Sequence, residues 1–361
     1  MAGAQRWRQG SVPGLVTGVA TVPLTIVVLE LDLGITGLFG LEAAAVFANL
    51  IWSSQLARRL VRDLPAGEPL PPELRGRYLR FVGSTSIIVI IQFVVWRRSE
   101  LFVLQHYSPD AQIAFYSIAF AAVSGLSKLP ESVEAVTVPA VANLIGTGED
   151  ERIRRGFWRA MRLLILATLP LVAGAAVTGP ALLRLAYGED YADAGPVLLV
   201  MLAPVLIQPM LRVSEGLLFA LARVRFIVIT GLIASVVDLG LAFALIPSLD
   251  AIGAAIANGV AILVAGVPAL VLAIRLHRPW SLPIGPMVRA VLVSVPVAGA
   301  AWAALSVGTL VAVVAGTLAF FIASFLLRPL AADDARWLSD ALGDGGSRGV
   351  AAGFVRRIGG A

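Results

Sequence analysis

A small set of ionisable side chains stands inside or at the ends of long apolar runs, where a charge is costly. Arg97, Arg98 and Glu100 fall in the outer third of one run. Lys128, Glu131 and Glu134 recur at i, i+3 and i+6, broadly one face of a helix, with Lys128 within reach of Glu131. Arg212 and Glu215 repeat the i, i+3 spacing, and Asp238 stands alone about 18 Å into its run at 1.5 Å per residue. Charged groups at such depth face a bundle interior or a water-filled cavity and mark substrate or ion pathways. Each group also has a purely structural reading. Arg97 and Arg98 can snorkel to the surface, and Lys128–Glu131 and Arg212–Glu215 can simply neutralise each other. Asp238 has no partner nearby in sequence, so it must be protonated, paired from elsewhere or hydrated.

Other chemistries lack their residues. The chain has no cysteine, which excludes thiol catalysis and Cys-built metal sites. Its two histidines, His106 and His277, are too few and too far apart for a His-built metal site. There is no Walker A loop around Lys128, no Gly-x-Gly-x-x-Gly opening a helix after a strand, no His-Glu-x-x-His and no nucleophile elbow. The expectation is therefore no catalytic residue, no bound metal, no cofactor and no enzymatic activity.

The elements that must carry these charges are membrane spans. Of 361 residues, 58% are hydrophobic and only 14% charged, with a mean hydropathy of +0.87. Soluble domains carry roughly 25% charged residues. The fold class expected is all-α, a polytopic integral membrane protein with about ten transmembrane helices. The apolar runs are 12–29, 33–54, 81–104, 111–145, 160–183, 195–221, 226–246, 252–274, 286–305 and 309–327. Continuous runs of this length exclude the alternating strands of a membrane barrel.

Charge placement orients the spans. With Met1 in the cytoplasm and loops alternating, all of the 28 basic residues except Arg97, Arg98, Lys128, Arg184 and Arg212 fall in inside loops. Both termini are thus predicted cytoplasmic in a cell (cytoplasmic) membrane. The net charge of +5 reports topology and lipid headgroups rather than a nucleic-acid partner. Residues 62–77, rich in proline and charge, read as a cytoplasmic linker between bundles. The organisation expected is two helices of an N-terminal bundle (1–61), that linker, a six-helix bundle (78–278), two additional helices (279–328) and a cytoplasmic tail (329–361). Within the tail, Asp333 to Leu342 suits a short helix and Val350 to Ile358 a segment on the membrane surface. Prolines inside several spans, Pro170, Pro204, Pro209, Pro268 and Pro296, suit broken helices lining a cavity.

The stretch from Arg97 to His277 resembles the polysaccharide-biosynthesis branch of the multidrug/oligosaccharidyl-lipid/polysaccharide exporter superfamily, the lipid-linked oligosaccharide flippases. The resemblance rests on motifs in order. Arg-Arg-Ser-Glu-Leu-Phe-Val-Leu (97–104) ends a helix, and Ala-Phe-Tyr116 follows. Leu-Arg-Leu-Ala-Tyr-Gly-Glu-Asp-Tyr-Ala-Asp-Ala (183–194) is similar to the family's Leu-Tyr-Gly-x-x-Tyr-x-x-Ala. Leu245-Ile246-Pro247 followed by Ile252-Gly253-Ala254-Ala255 resembles Ile-Pro-x-x-Gly-x-x-Gly-Ala-Ala.

The resemblance implies a two-bundle exporter fold working by alternating access on a polyprenyl-pyrophosphate-linked oligosaccharide for cell-surface polysaccharide biosynthesis. Arg97, Arg98, Lys128 and Arg212 would face the pyrophosphate and sugars. Glu100, Glu131, Glu134, Glu215 and Asp238 would be the ion-coupling carboxylates. Partners would be the lipid-linked glycan, membrane lipid and other glycan-assembly proteins. Family members usually have twelve or fourteen spans, so the chain resembles a fourteen-span member lacking its first four. The competing readings are a drug/cation antiporter of the same fold and a truncated, non-transporting scaffold. The first wants an acidic or aromatic cavity, whereas several arginines are available here.

Overall fold

The computed structural model of the chain describes residues 7–62, 71–146, 148–276, 284–342 and 346–359; within some helices it describes the backbone but not every side chain. Among the described residues there is no strand. Twelve helices follow in order: α1 (Trp7–Glu30), α2 (Gly34–Arg62), α3 (Pro72–Tyr107), α4 (Asp110–Gly146), α5 (Asp150–Tyr187), α6 (Ala194–Val205), α7 (Gln208–Ala220), α8 (Val224–Leu276), α9 (Ile284–Ala304), α10 (Thr309–Leu327), α11 (Ala332–Leu342) and α12 (Gly346–Ile358). Each of the ten apolar runs falls on these helices to within a residue at its ends, 195–221 being split between α6 and α7. Six described helices are by themselves long and apolar enough to cross a membrane, and the bent pair α6–α7 makes a seventh.

The chain divides into two compact units, Met1–Tyr78 and Leu79–Ala361. In the first, α1 and α2 form a helical hairpin turned by Asp32 and Gly34, both at positive φ. Thr17, Thr21 and Thr25 donate their hydroxyls back to carbonyls four residues earlier at 2.8–2.9 Å. That satisfies them without water, as a lipid environment demands. Asn49 of α2 donates to the Thr17 hydroxyl at 3.2 Å, and the missing side chain of Gly14 leaves room for it. Gly18, one turn further along, has open space beside it.

In the second unit, backbone breaks shape the helices. α6 and α7 meet at 47°. Pro204 and Pro209 flank the break: Pro204, inside α6, lacks an N–H and clashes with the preceding turn, and Pro209 stands in the first turn of α7, where proline is tolerated. α8 is two helical legs joined at a sharp corner. At Asp250 the backbone adopts φ 47°, ψ −129°. A Cβ added to Gly253 would lie 2.7 Å from the Leu245 carbonyl oxygen. Residues eight apart in a straight helix stand about 12 Å apart, so the chain folds back on itself here. The two legs bracket this corner, and Ala251, Ala254, Ala255 and Ala257 are buried along the returning leg.

Two apolar clusters hold this unit. One joins α3, α4, α6 and α8 through Leu104, Tyr116, Val197, Val205 and Ile246. The other gathers Phe157, Trp158, Met161 and Ile165 of α5 with Val213 and Leu217 of α7 and with Leu330, Ala335, Val355 and Ile358 from the segment after α10. The tail is therefore packed against protein: Val355 and Ile358, on the segment expected at a membrane surface, are buried in this core.

A candidate buried carboxyl site between α3, α4 and α8

α3 carries Ser99 and Glu100, and the two legs of α8 carry Asp238 and Asn258. The corner at Asp250 is what brings Asp238 and Asn258, twenty residues apart, to the same place. Glu100 is 1% exposed and Asp238 2%. The Asn258 amide donates to Glu100 Oε1 at 2.7 Å. The Ser99 hydroxyl lies 3.2 Å from Glu100 Oε2 and 3.0 Å from Asp238 Oδ2. A hydroxyl has one hydrogen to donate, so Ser99 cannot donate to both carboxyl groups in full. Among the described residues, Asp238 Oδ1 is buried without a hydrogen-bond partner. The Tyr116 hydroxyl of α4 is buried beside Glu100, yet among the described residues it meets no group at good hydrogen-bonding geometry.

Two carboxyl groups in contact with one hydroxyl, out of water, cannot both carry an uncompensated charge. Such a pair can hold one proton, or share a small monovalent cation. Among the described residues no three His, Asp or Glu side chains converge as a divalent metal site would require.

The other residues singled out from the sequence lie elsewhere in the unit. Lys128 and Glu131 of α4 form an ion pair at 2.7 Å, with side chains 63% and 37% exposed. Arg212 and Glu215 of α7 pair at 3.2 Å and are about one-fifth exposed. Both pairs follow from their i, i+3 spacing. One residue before Lys128, Ser127 donates to the Gln208 side chain at 2.8 Å, tying α4 to the start of α7 at the α6–α7 bend. Arg97, Arg98 and Glu134 lie on α3 and α4, but their side chains lie outside the described residues. Sequence reasoning missed Ser99, Tyr116, Asn258, Ser127 and Gln208. The available signals were polar residues within apolar runs, Asn258 among Ala254, Ala255, Ala257 and Ala261 being the plainest.

A second feature is an apolar groove of about 580 Å³ between α5 and the α9–α10 pair, with Leu126 of α4 at its side. Gly174 and Gly316, Val297, Thr317, Phe320 and Phe321 are among its walls.

A multi-pass, all-α membrane protein with broken helices, a buried carboxyl pair and an apolar groove has the makings of a transporter. Residues 129–328 match the family described as "Lipid II flippase MurJ". The chain belongs to this family of flippases, transporters of a lipid-linked glycan rather than enzymes. Among solved structures, one described as "Lipid II flippase MurJ, inward closed conformation" shares the fold with a TM-score of 0.64 at 14% identity, over 90% of this chain and 68% of that one. No curated protein matches the chain. The superfamily is the one the motifs resembled, and the branch matched is that of the lipid II flippases.

Proposed function

We propose that this protein flips a polyprenyl-pyrophosphate-linked glycan of the lipid II kind across the cytoplasmic membrane by alternating access, with both termini in the cytoplasm. The family match over residues 129–328 carries the reading. That match covers the bent α6–α7 pair, the α8 corner with Asp238, and the groove. The lipid II class replaces the cell-surface oligosaccharide expected from the motifs.

In this reading the groove between α5 and α9–α10 takes the polyprenyl chain, because its walls are almost wholly apolar. Lys128 and Arg212, with Arg97 and Arg98, supply cations for the pyrophosphate. Glu131 and Glu215 hold Lys128 and Arg212 in place through their ion pairs rather than coupling to an ion. Coupling belongs to Glu100 and Asp238, which alternate between binding and releasing one proton or cation; Glu134 stands as a further candidate on α4. Membrane-bound glycan-assembly proteins that build the substrate would be its natural partners.

The test is reconstitution of the chain in vesicles with a fluorescent lipid II on one leaflet. Flipping above that of empty vesicles, reduced in Lys128→Ala and Arg212→Ala and insensitive to an imposed proton or sodium gradient in Glu100→Gln, is expected. Flipping equal to empty vesicles refutes the transport reading for this chain.

A further inference from the structure

The segment after α10 ties together the two walls of the apolar groove. Arg328 turns the chain through a left-handed backbone (φ 43°, ψ 62°), and α11 and α12 then pack on each other. α11 is fastened to α5. Asp334, its side chain 2% exposed, accepts from Arg162 twice, at 2.7 and 2.8 Å, and from Arg159 at 2.9 Å. The Arg159 guanidinium also lies 5.1 Å from the centre of the Trp337 ring. α12 is fastened to α10: the Phe354 and Phe321 rings meet edge to face at 5.4 Å. Phe321 is itself a wall of the groove, as are Ala167 and Pro170 of α5. A helical hairpin thus has one foot on each of two helices, α5 and α10, that wall the groove.

We propose that α11–α12 is a strap that gates this end of the groove, with Asp334 as its latch. The inference rests on the reading of the groove as a polyprenyl site. While Asp334 holds both arginines, α11 stays seated on α5 and restrains this end of α10, beside the packing of α9 against both helices, and the Phe354–Phe321 contact closes the end. When Asp334 lets go, α11 lifts from α5 and this end of α10 moves outward with α12, pivoting on its packing against α9 and widening the end through which a lipid chain enters. The two fastenings differ in kind. The aromatic contact is non-directional and tolerates sliding, whereas the three charge-assisted hydrogen bonds are directional and are made or lost together. The latch therefore sits on α5, and the strap stays with α10. Asp334 acts through the hairpin and touches no substrate, so its role is positioning.

The absence of native cysteine makes the test direct. Spin labels go on Arg155→Cys of α5 and Asp333→Cys of α11, both well exposed. Their distance distribution is read in lipid nanodiscs, with and without undecaprenyl phosphate, and the lipid's uptake rate is followed in parallel. A single narrow distance is expected in the otherwise unchanged protein, with a longer population appearing on adding the lipid. Asp334→Asn should populate the longer distance without lipid and speed uptake on the order of tenfold, the loss of a charge-assisted pair, while Asp334→Glu should keep the narrow distance. Should Asp334→Asn fold poorly, the lipid-induced population in the unsubstituted latch decides alone. A distance unchanged by both lipid and Asp334→Asn overturns the strap. Equal uptake rates overturn its gating role and leave the groove as a lipid site. No uptake by either protein overturns the polyprenyl reading and the strap's function with it.

Discussion

Replacing Glu100 with Gln and with Ala should separate two roles that one residue combines. Glu100 is 1% exposed and is the acceptor for the Asn258 amide at 2.7 Å. Glutamine keeps the length, the acceptor for Asn258 and a polar group near Ser99. It also removes one of two like charges, so Glu100→Gln should change stability by no more than about 1 kcal/mol. Alanine strands the buried Asn258 donor, which costs about 1–3 kcal/mol, and vacates the space of the side chain at about 0.8 kcal/mol per methylene-sized group. Together Glu100→Ala should lose about 2–5 kcal/mol. Replacing both partners by apolar groups removes the stranded donor, so Glu100→Ala with Asn258→Leu should recover part of that loss. Denaturant titration of purified protein in mixed micelles, with Trp fluorescence as the probe, measures all three. If Glu100→Ala proves as stable as Glu100→Gln, or the double variant is worse than the sum of its parts, the cluster is not the coupled unit described here. Both single variants should lose ion dependence of transport, since each leaves Asp238 without its carboxyl partner.

Three further outcomes are expected. Burial acts to raise the Asp334 pKa, but the hydrogen bonds and charges of Arg162 and Arg159 outweigh it and hold the carboxyl below its usual range. A depressed folded-state value stabilises above the unfolded pKa of about 3.9 and is lost as pH falls through the folded value. The exchange protection of α11, corrected for the intrinsic pH dependence of amide exchange, should therefore be constant from neutral to mildly acidic pH and fall only in strong acid. Gly253→Ala should destabilise by about 1–3 kcal/mol, because its Cβ would meet the Leu245 carbonyl, a backbone group that cannot swing aside; thermal unfolding reads it. Gly174→Leu should fold, since a Cβ there meets only Val297 at 3.5 Å. It should nonetheless slow binding of undecaprenyl phosphate severalfold by filling the groove; wild-type binding by this variant would disprove the groove's assignment.

Much of the helical layout was readable because hydrophobic length is a local property. The ten apolar runs, the break at Pro204 and Pro209, and the i, i+3 pairs Lys128–Glu131 and Arg212–Glu215 need no information beyond a dozen neighbouring residues; Pro170, Pro268 and Pro296, also expected to break their spans, sit inside continuous helix. The motif order also reached the right superfamily, although a neighbouring branch was named. Glu100 and Asp238 were each picked out for being charged in an apolar setting, yet nothing local joined them. Glu100 was grouped with Arg97 and Arg98, its neighbours in sequence. Its described partners are Ser99, Asn258 158 residues later, and through Ser99 also Asp238. The tail was read as a surface segment because Arg356 and Arg357 gave it an amphipathic look; what the sequence did not show is that Val355 and Ile358 are buried in a core shared with α5 and that Phe354 meets Phe321 of α10.

Composition and periodicity alone thus determined that this is a helical, multi-pass membrane protein, where its charges fall and which chemistries it lacks. The tertiary structure decided which of those charges meet. Twenty residues separate Asp238 from Asn258, and only the strained backbone at Asp250, with Gly253 bare against Leu245, folds them onto one site beside α3. The same holds for Asp334 and its two arginines, some 170 residues away. In each case the pairing energy exists only after apolar packing has brought the helices together, because a buried ion pair or carboxyl pair cannot offset its own desolvation alone.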